Sequence, residues 1–349
     1  MAADLRVLLD GTPLLGNRTG IGRYTASLVA ELASLVDVRL VGFTTRGWRE
    51  LRGTAPPGTR AVGPPIPARV LRKLWQRGAF PPVELLAGRS DVVHGTNFVL
   101  PPSVRAAGVV TVHDLAFLDD PSLAEPDLPA LVRGSVRRAR VVCTPTAAVA
   151  DAVSARLDVP REEVVVTPLG VDPAWFSAAP LDSELRVHCG LPAEYLLFVG
   201  AEGPRKGLPG LLAAHGPDLP PLVIAGPSTP GIDGAVIRTG FLPDDHLRRL
   251  VAGASALVLP SRDEGFGLPA LEALACGTPV VCTDIPALRE VTAGRATYFP
   301  FGDPAALNDA LHQALANPPD PEAGRAWAES FTWRACAEAT RAAYRRAAT

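Results

Sequence analysis

Short, almost wholly apolar runs alternate with amphipathic stretches along this chain, in two successive series. The segments "LRVLLD" (5–10), "VRLVGF" (38–43), "DVVHGT" (91–96), "GVVTVHD" (108–114) and "ARVVCTPT" (139–146) are rich in Val and Leu and end in small or polar residues. Such runs predict strands buried on both faces, as in a parallel sheet covered by helices. Helical patterns such as "GRYTASLVAELASL" (22–35) and "PALVRGSVRRA" (129–139) lie between them. A second series runs through "YLLFVG" (195–200), "PLVIAG" (221–226), "ALVLPS" (256–261), "TPVVCTD" (278–284) and "ATYFP" (296–300), with helical patterns at 244–254 and 268–276. Each series has the size of a domain, so the chain is expected to be α/β, with two Rossmann-like domains facing one another. Strand signals stop across 170–192, where Pro, Ser and Asp accumulate. The expected organisation is a first domain over 1–172, a linker over 173–192, a second domain over 193–328 and a tail over 329–349. Within that tail, "FTWRACAEATRAAYRRA" (331–347) reads as one amphipathic helix.

Composition narrows the function classes. With 47% hydrophobic residues and a mean hydropathy of +0.17, the 349 residues can build two cores and leave little room for disorder. A net charge of −2 argues against nucleic acid as a partner. The five cysteines (Cys143, Cys189, Cys276, Cys282, Cys336) form no C-x-x-C pair and read as buried thiols of a reducing compartment. Neither a basic-flanked signal segment nor a bilayer-length apolar run is present, so a cytoplasmic location is expected. Of 34 basic residues only Lys73 and Lys206 are lysines, which singles out Lys206.

The most informative stretch is "PSRDEGFGLPALEALACGTPVV" (260–281). It predicts a strand end, a glycine loop and a helix opened by Pro269, where a missing N–H costs nothing. Ligands of open α/β sheets gather at such strand ends and helix N-termini. If the helix starts near Leu268, Glu272 lies about 6 Å along its axis while Glu264 stays in the loop. A diphosphate at the helix mouth would have one carboxylate towards each end, and carboxylates accept from sugar hydroxyls. Taken singly, each glutamate reads better as a solvated residue; the joint pattern reverses that and points to a nucleotide sugar.

"EGFGLPALE" resembles the Glu-x7-Glu motif of the family-four retaining glycosyltransferases (group 1), which have the two-domain GT-B fold. The resemblance covers nearly the whole chain. "RTGIGRYTASLVAEL" is similar to the family's amino-terminal glycine loop and helix, "VVTVHDLAF" to its His-Asp motif, and "VVVTPLGVDPAWF" to the segment before its linker. "FVGAEGPRKGLPGLL" resembles the first strand and phosphate loop of its donor domain. The amino-terminal wording is most similar to bacterial mannosyltransferases of polysaccharide assembly.

The resemblance implies transfer of a hexose from a nucleoside diphosphate sugar, GDP-mannose foremost, to an acceptor hydroxyl, with retention and no metal or other cofactor. It implies that Glu264 and His113 attend the reacting sugar. Gly265, Phe266, Gly267 and Leu268 would line the sugar and diphosphate, Glu272 would hold the ribose, and Arg205 and Lys206 would neutralise the leaving diphosphate. Gly20 would bring amino-terminal backbone to that diphosphate, and the loop Thr239–Pro243 would take the base. The tail helix would pack back towards the N-terminal domain. Two positions depart from the pattern: Ala201 stands where many relatives have arginine, and Gly203 where a glutamate is usual. The short stretch between Gly226 and Arg238 implies a reduced or missing helix. Other enzymes of this fold (an epimerase or a phosphorylase) and a silent nucleotide-sugar-binding subunit remain as alternatives.

Three further signals have two readings each. His113 is either a structural histidine or, with Asp114 beside it at a strand end, a site residue. His94 either lines the acceptor side or closes its strand. "ARVLRKLWQR" (68–77) places Val70, Leu71, Leu74 and Trp75 on one face among Arg69, Arg72, Lys73 and Arg77. That pattern suits weak peripheral contact with an anionic membrane or an ordinary helix packed on its sheet. The loop "GTPLLGNRTGIGRY" lacks the G-x-G-x-x-G spacing of a dinucleotide site, which argues against a dehydrogenase.

Overall fold

A computed structural model describes residues 5–16, 20–44, 47–65, 67–182, 186, 190–227 and 236–349. The chain divides into two compact units: Met1–Gly170 with Trp333–Thr349, and Val171–Thr332. Both are Rossmann-like, each built on one wholly parallel sheet.

In the first unit the strands are β1 (Arg6–Asp10), β2 (Asp37–Val41), β3 (Arg60–Val62), β4 (Val92–Gly95), β5 (Ala107–Thr111), β6 (Val141–Thr144) and β7 (Val164–Val166). They lie in the order β3-β2-β1-β4-β5-β6-β7. The second unit holds β8 (Leu196–Val199), β9 (Leu222–Ala225), β10 (Ile237–Gly240), β11 (Ala256–Leu259), β12 (Val280–Thr283) and β13 (Thr297–Phe299), in the order β10-β9-β8-β11-β12-β13. Strand order reverses between β1 and β4 and again between β8 and β11. At such reversals the crossover helices leave on opposite faces, which opens a crevice at the carboxyl ends of the strands.

The continuous apolar runs become strands because both faces are covered. Leu8, Val93, Val110 and Val142 sit in one core with Leu131 and Val153 from helices, and Leu196, Phe198, Ile224 and Val258 in the other with Leu307 and Leu311. Strands β3, β7 and β10 were not foreseen. All three lie at a sheet edge, where a short strand pairs on one side only and needs no long apolar run.

The region expected as a linker begins as part of the second unit. Asp172 caps a short turn of helix, Pro173–Trp175, and Trp175 is fully buried, so the chain is already folded at 171–175. Parts of that stretch (183–185, 187–189, hence Cys189) lie outside the described residues, as does the 228–235 segment where a helix was expected to be reduced. The tail helix spans Trp333–Ala348 and belongs to the first unit. Its Cys336 and Tyr344 are buried, and Arg334 donates to Ser34 at 2.8 Å. Cys143 and Cys282 are buried as well, with burial pushing both thiols up to about 12.

The Ala68–Arg77 helix splits the apolar face read from its sequence. Leu71 and Trp75 are buried in the first unit's core, whereas Val70 and Leu74 are exposed among Arg69, Lys73 and Arg77.

Candidate active site

Two loops of the second unit meet where its strand order reverses, one after β8 and one after β11. Glycines make the approach possible. A side chain at Gly226 (φ 150°) would start 2.0 Å from the Gly200 carbonyl oxygen, and one at Gly207 (φ 68°) 1.8 Å from that of Pro260. Gly207 is thus pressed against the exit of β11, and Lys206 beside it reaches the second loop. Its ammonium stands 2.5 Å from Glu264 Oε1, which also accepts from the Ser261 hydroxyl at 2.6 Å. Arg205 lies 3.7 Å from the other carboxylate oxygen and donates to the Asp263 carbonyl at 3.0 Å.

Glu264 is therefore no solvated loop residue; it is 7% exposed. Burial alone would raise its carboxyl. The charges of Lys206 and Arg205, with hydrogen bonds from Lys206 and Ser261, outweigh that and hold it below the usual carboxylate range. A buried glutamate is kept ionised by two cations that remain partly accessible at 18% and 27%.

The same loop runs into the Leu268–Cys276 helix. Gly267 is its N-cap at φ 88°, and a side chain there would meet Leu288 Cδ2 at 2.4 Å. A glycine N-cap supplies no side-chain acceptor to this end. The helix therefore presents a positive end, equivalent to roughly half a charge, which suits an anion. Phe266 is buried with its ring edge-on to Phe331 at 6.0 Å. Glu272 lies one turn into the helix and is 3% exposed. Beyond β9, the Gly226 amide donates to the Gly240 carbonyl at 3.0 Å, tying the expected base loop to the Gly200 turn. Glu202, which sequence reasoning passed over, is buried and 3.0 Å from Arg238 on β10.

His113 and Gly20 belong to the first unit. Gly20 is exposed and opens the Gly20–Leu32 helix. His113 follows β5; its Nε2 is 2.9 Å from the Thr96 carbonyl, and the rings of Tyr24 and Phe98 stand edge-on to it at 4.8 and 5.6 Å. A carbonyl can only accept, so Nε2 carries the proton and Nδ1 is left as an acceptor. Burial lowers the pKa of this ring and keeps it neutral.

His94 does not line a site. It is wholly buried, with Nδ1 2.7 Å from the Tyr344 hydroxyl and Nε2 2.8 Å from that of Thr111. It ties β4 to the tail helix, and satisfying both nitrogens avoids about 1–3 kcal/mol for each polar group otherwise stranded. Its strand-closing alternative is the one the structure selects.

A cavity of about 470 Å³ opens in the first unit at its own strand reversal, lined by Asp10, Phe43, Arg72, Trp75, Asn97 and others. Asp10 and Asn97 gave no motif signal. Only the position of Asp10 as the charged end of an apolar strand pointed towards it.

A family model described as glycosyl transferases group 1 matches residues 193–317, and one described as a glycosyl transferase 4-like domain matches residues 19–170. The chain is similar to the O-antigen chain mannosyltransferase B of Escherichia coli, 28% identical over 283 residues, 73% of this chain and 74% of that protein. With the D-inositol 3-phosphate glycosyltransferase of Frankia alni it is 30% identical over 280 residues, 68% of each. The solved sucrose-phosphate synthase of Thermosynechococcus elongatus matches with a TM-score of 0.76 at 22% identity, covering 97% of this chain and 98% of that one. Anabaena Alr3699/HepE, solved with UDP-glucose, matches at 0.72 and 16% identity, covering 97% and 99%. At these identities the likeness is one of fold, and the fold is GT-B.

Proposed function

The chain belongs to the group 1 glycosyltransferases, and from that premise we propose that it transfers a hexose, with retention, from a nucleoside diphosphate sugar to an acceptor hydroxyl. The observation that carries this reading is the Lys206–Glu264 pair at the strand reversal, beside a glycine-capped helix N-terminus. The diphosphate is read at that helix mouth, against the backbone of Gly265 to Leu268, where Lys206 and Arg205 neutralise it as it leaves. Glu264, drawn off Lys206 by the incoming phosphate, turns its carboxylate to the hexose hydroxyls. Glu272 holds the ribose. Neutral His113, with Nδ1 as its acceptor nitrogen, is the first unit's own candidate for accepting from a sugar hydroxyl.

Attack is on the face from which the diphosphate departs. The bond from the acceptor oxygen to the anomeric carbon forms as the carbon–phosphate-oxygen bond breaks. The hydroxyl proton passes to that departing oxygen, so no protein nucleophile or separate base is required. Positioning and charge stabilisation do the rest. With Lys206 and Arg205 supplying the positive charge, no divalent ion is needed, and activity is expected to survive chelator; loss reversed by Mn²⁺ or Mg²⁺ would contradict this.

GDP-mannose is the favoured donor, in line with the mannosyltransferase among the relatives, and UDP-hexoses come next. A nucleotide-sugar panel tests the reading. A donor at 100 times its dissociation constant adds about 2.7 kcal/mol to stability. Stabilisation by a nucleotide sugar, with acceptor-dependent nucleotide release, supports it. Stabilisation without release under any acceptor would point to a silent binding subunit, and sugar conversion without acceptor to an epimerase.

A further inference from the structure

The histidine read as attending the sugar is held in place by a tyrosine. Tyr24, buried on the Gly20–Leu32 helix, stands edge-on to the His113 imidazole at 4.8 Å, and its hydroxyl is 3.0 Å from that of Thr111. Thr111 ends β5 and His113 follows two residues later, so both side chains leave one face of the chain. Tyr24 therefore spans the pair: its hydroxyl pins one end of the ring, and the ring walls the imidazole. The hydrogen bond to the Thr96 carbonyl holds only Nε2 and leaves the imidazole free to tilt about that contact. Tyr24 and Phe98, the latter at 5.6 Å, take up that freedom.

The Tyr24 hydroxyl is one end of a longer buried chain. Thr111 Oγ1 is also 2.8 Å from His94 Nε2, and His94 Nδ1 is 2.7 Å from the Tyr344 hydroxyl on the tail helix. Burial keeps His94 neutral and pushes both tyrosine hydroxyls up, so the imidazole has one N–H and one bare nitrogen between hydroxyls that keep their protons. The position of the His94 proton thus sets the direction of the links on both sides of it. The tail helix also reaches the tyrosine ring directly: Trp333 at its start stands 6.4 Å from Tyr24. Trp333 and Tyr344 are eleven residues apart, about three turns, and so share one face of that helix. The helix grips both ends of Tyr24, the ring through Trp333 and the hydroxyl through Tyr344, His94 and Thr111.

We propose that Tyr24 is a positioning residue for His113, set in place by the tail helix through Tyr344, His94 and Thr111. The role of His113 itself rests on the transferase reading above; the packing around it does not. The test is magnetic resonance of the full chain with isotope-labelled histidine, the His113 ring signals being assigned by their loss in His113→Gln, together with steady-state kinetics. Tyr24→Phe and Tyr344→Phe each remove a hydroxyl and no ring. Both should shift the His113 ring nitrogens and speed exchange of its Nε2–H. Both should also lower kcat by about threefold or more while the donor KM stays within about twofold. Tyr24→Leu, which loses the ring, should cost more. Val153→Ala, a core change in the same unit outside the chain of contacts, should lower the Tm without moving those signals. Unchanged His113 signals in both phenylalanine variants, equal shifts in Val153→Ala, or wild-type kcat in both phenylalanine variants would overturn the proposal. Should Tyr24→Leu fail to fold, the two phenylalanine variants decide. If the signals move as expected while the wild-type chain transfers sugar from no donor, the transferase reading fails and the positioning of His113 stands.

Discussion

The Lys206 ammonium and the Glu264 carboxylate meet at 2.5 Å although 58 residues separate them in the chain. Each had been read as facing the donor, Lys206 the diphosphate and Glu264 the hexose. In the fold they face each other. Such a pair is held in reserve: its desolvation cost is offset only while both charges are present, and a phosphate can replace the carboxylate as partner of the lysine.

Lys206 should be irreplaceable by arginine. An ammonium is a compact charge that fits beside Gly207, whereas a guanidinium is a wide planar fork. Lys206→Arg is expected to lower kcat/KM by about tenfold or more, roughly 1.4 kcal/mol of transition-state stabilisation. Lys206→Ala should do more, leaving buried Glu264 with only the longer Arg205 contact at 3.7 Å as its ion pair among those described. Lys73→Arg, on an exposed helix face, should match wild type. Wild-type kinetics for Lys206→Arg would defeat the shape argument; an active Lys206→Ala would remove this loop from the donor site.

The two glutamates should separate kinetically. Glu264→Gln is expected mainly to lower kcat, since its partner is the sugar that changes charge, and Glu272→Gln mainly to weaken donor affinity, since the ribose does not react. Steady-state kinetics with varied donor reads both. Equal effects on kcat and KM from the two changes would erase the division.

Acid should weaken the first unit through His94. Burial lowers its pKa from 6.5 to about 3, so the unfolded chain binds the proton first as pH falls. The contribution to stability is present above about 6.5 and is lost towards 3, with a slope of up to about 1.4 kcal/mol per pH unit. Asp10, raised to about 6, works in the opposite sense between 3.8 and 6. His94→Gln should therefore lower the Tm at neutral pH yet lose less than wild type between pH 7 and pH 5. An unchanged acid slope in the variant would show that His94 does not carry it.

The Ala68–Arg77 helix should not hold the protein on membranes by itself. Leu71 and Trp75, its largest apolar residues, are buried in the core and are unavailable to lipid. Val70 and Leu74 alone bury too little, even with three cations around them. Co-sedimentation with anionic liposomes at low ionic strength is expected to stay at background. Salt-sensitive binding, abolished by Val70→Ser with Leu74→Ser, would reverse that reading.

How much of this was legible from residues alone varies with the range of the interaction involved. The two parallel-sheet domains, the helix opened by Pro269 and the loop before it are local patterns. Apolar runs, glycines and a proline impose them within a few residues, and the chain order of the motifs did the rest. The edge strands β3, β7 and β10 were invisible because strands paired on one side need little apolar length. Whether His94 served a ligand or the core depended on Tyr344, 250 residues away, and no local pattern carries a contact at that distance. The cavity at Asp10 and Asn97 likewise exists only because two strands distant in sequence become neighbours in the sheet. The sequence by itself determined which residue types stand at each strand end. Tertiary structure alone decided which of them pair, which are buried and which acceptors are left open, because burial and charge pairing depend on neighbours that the chain brings together only by folding.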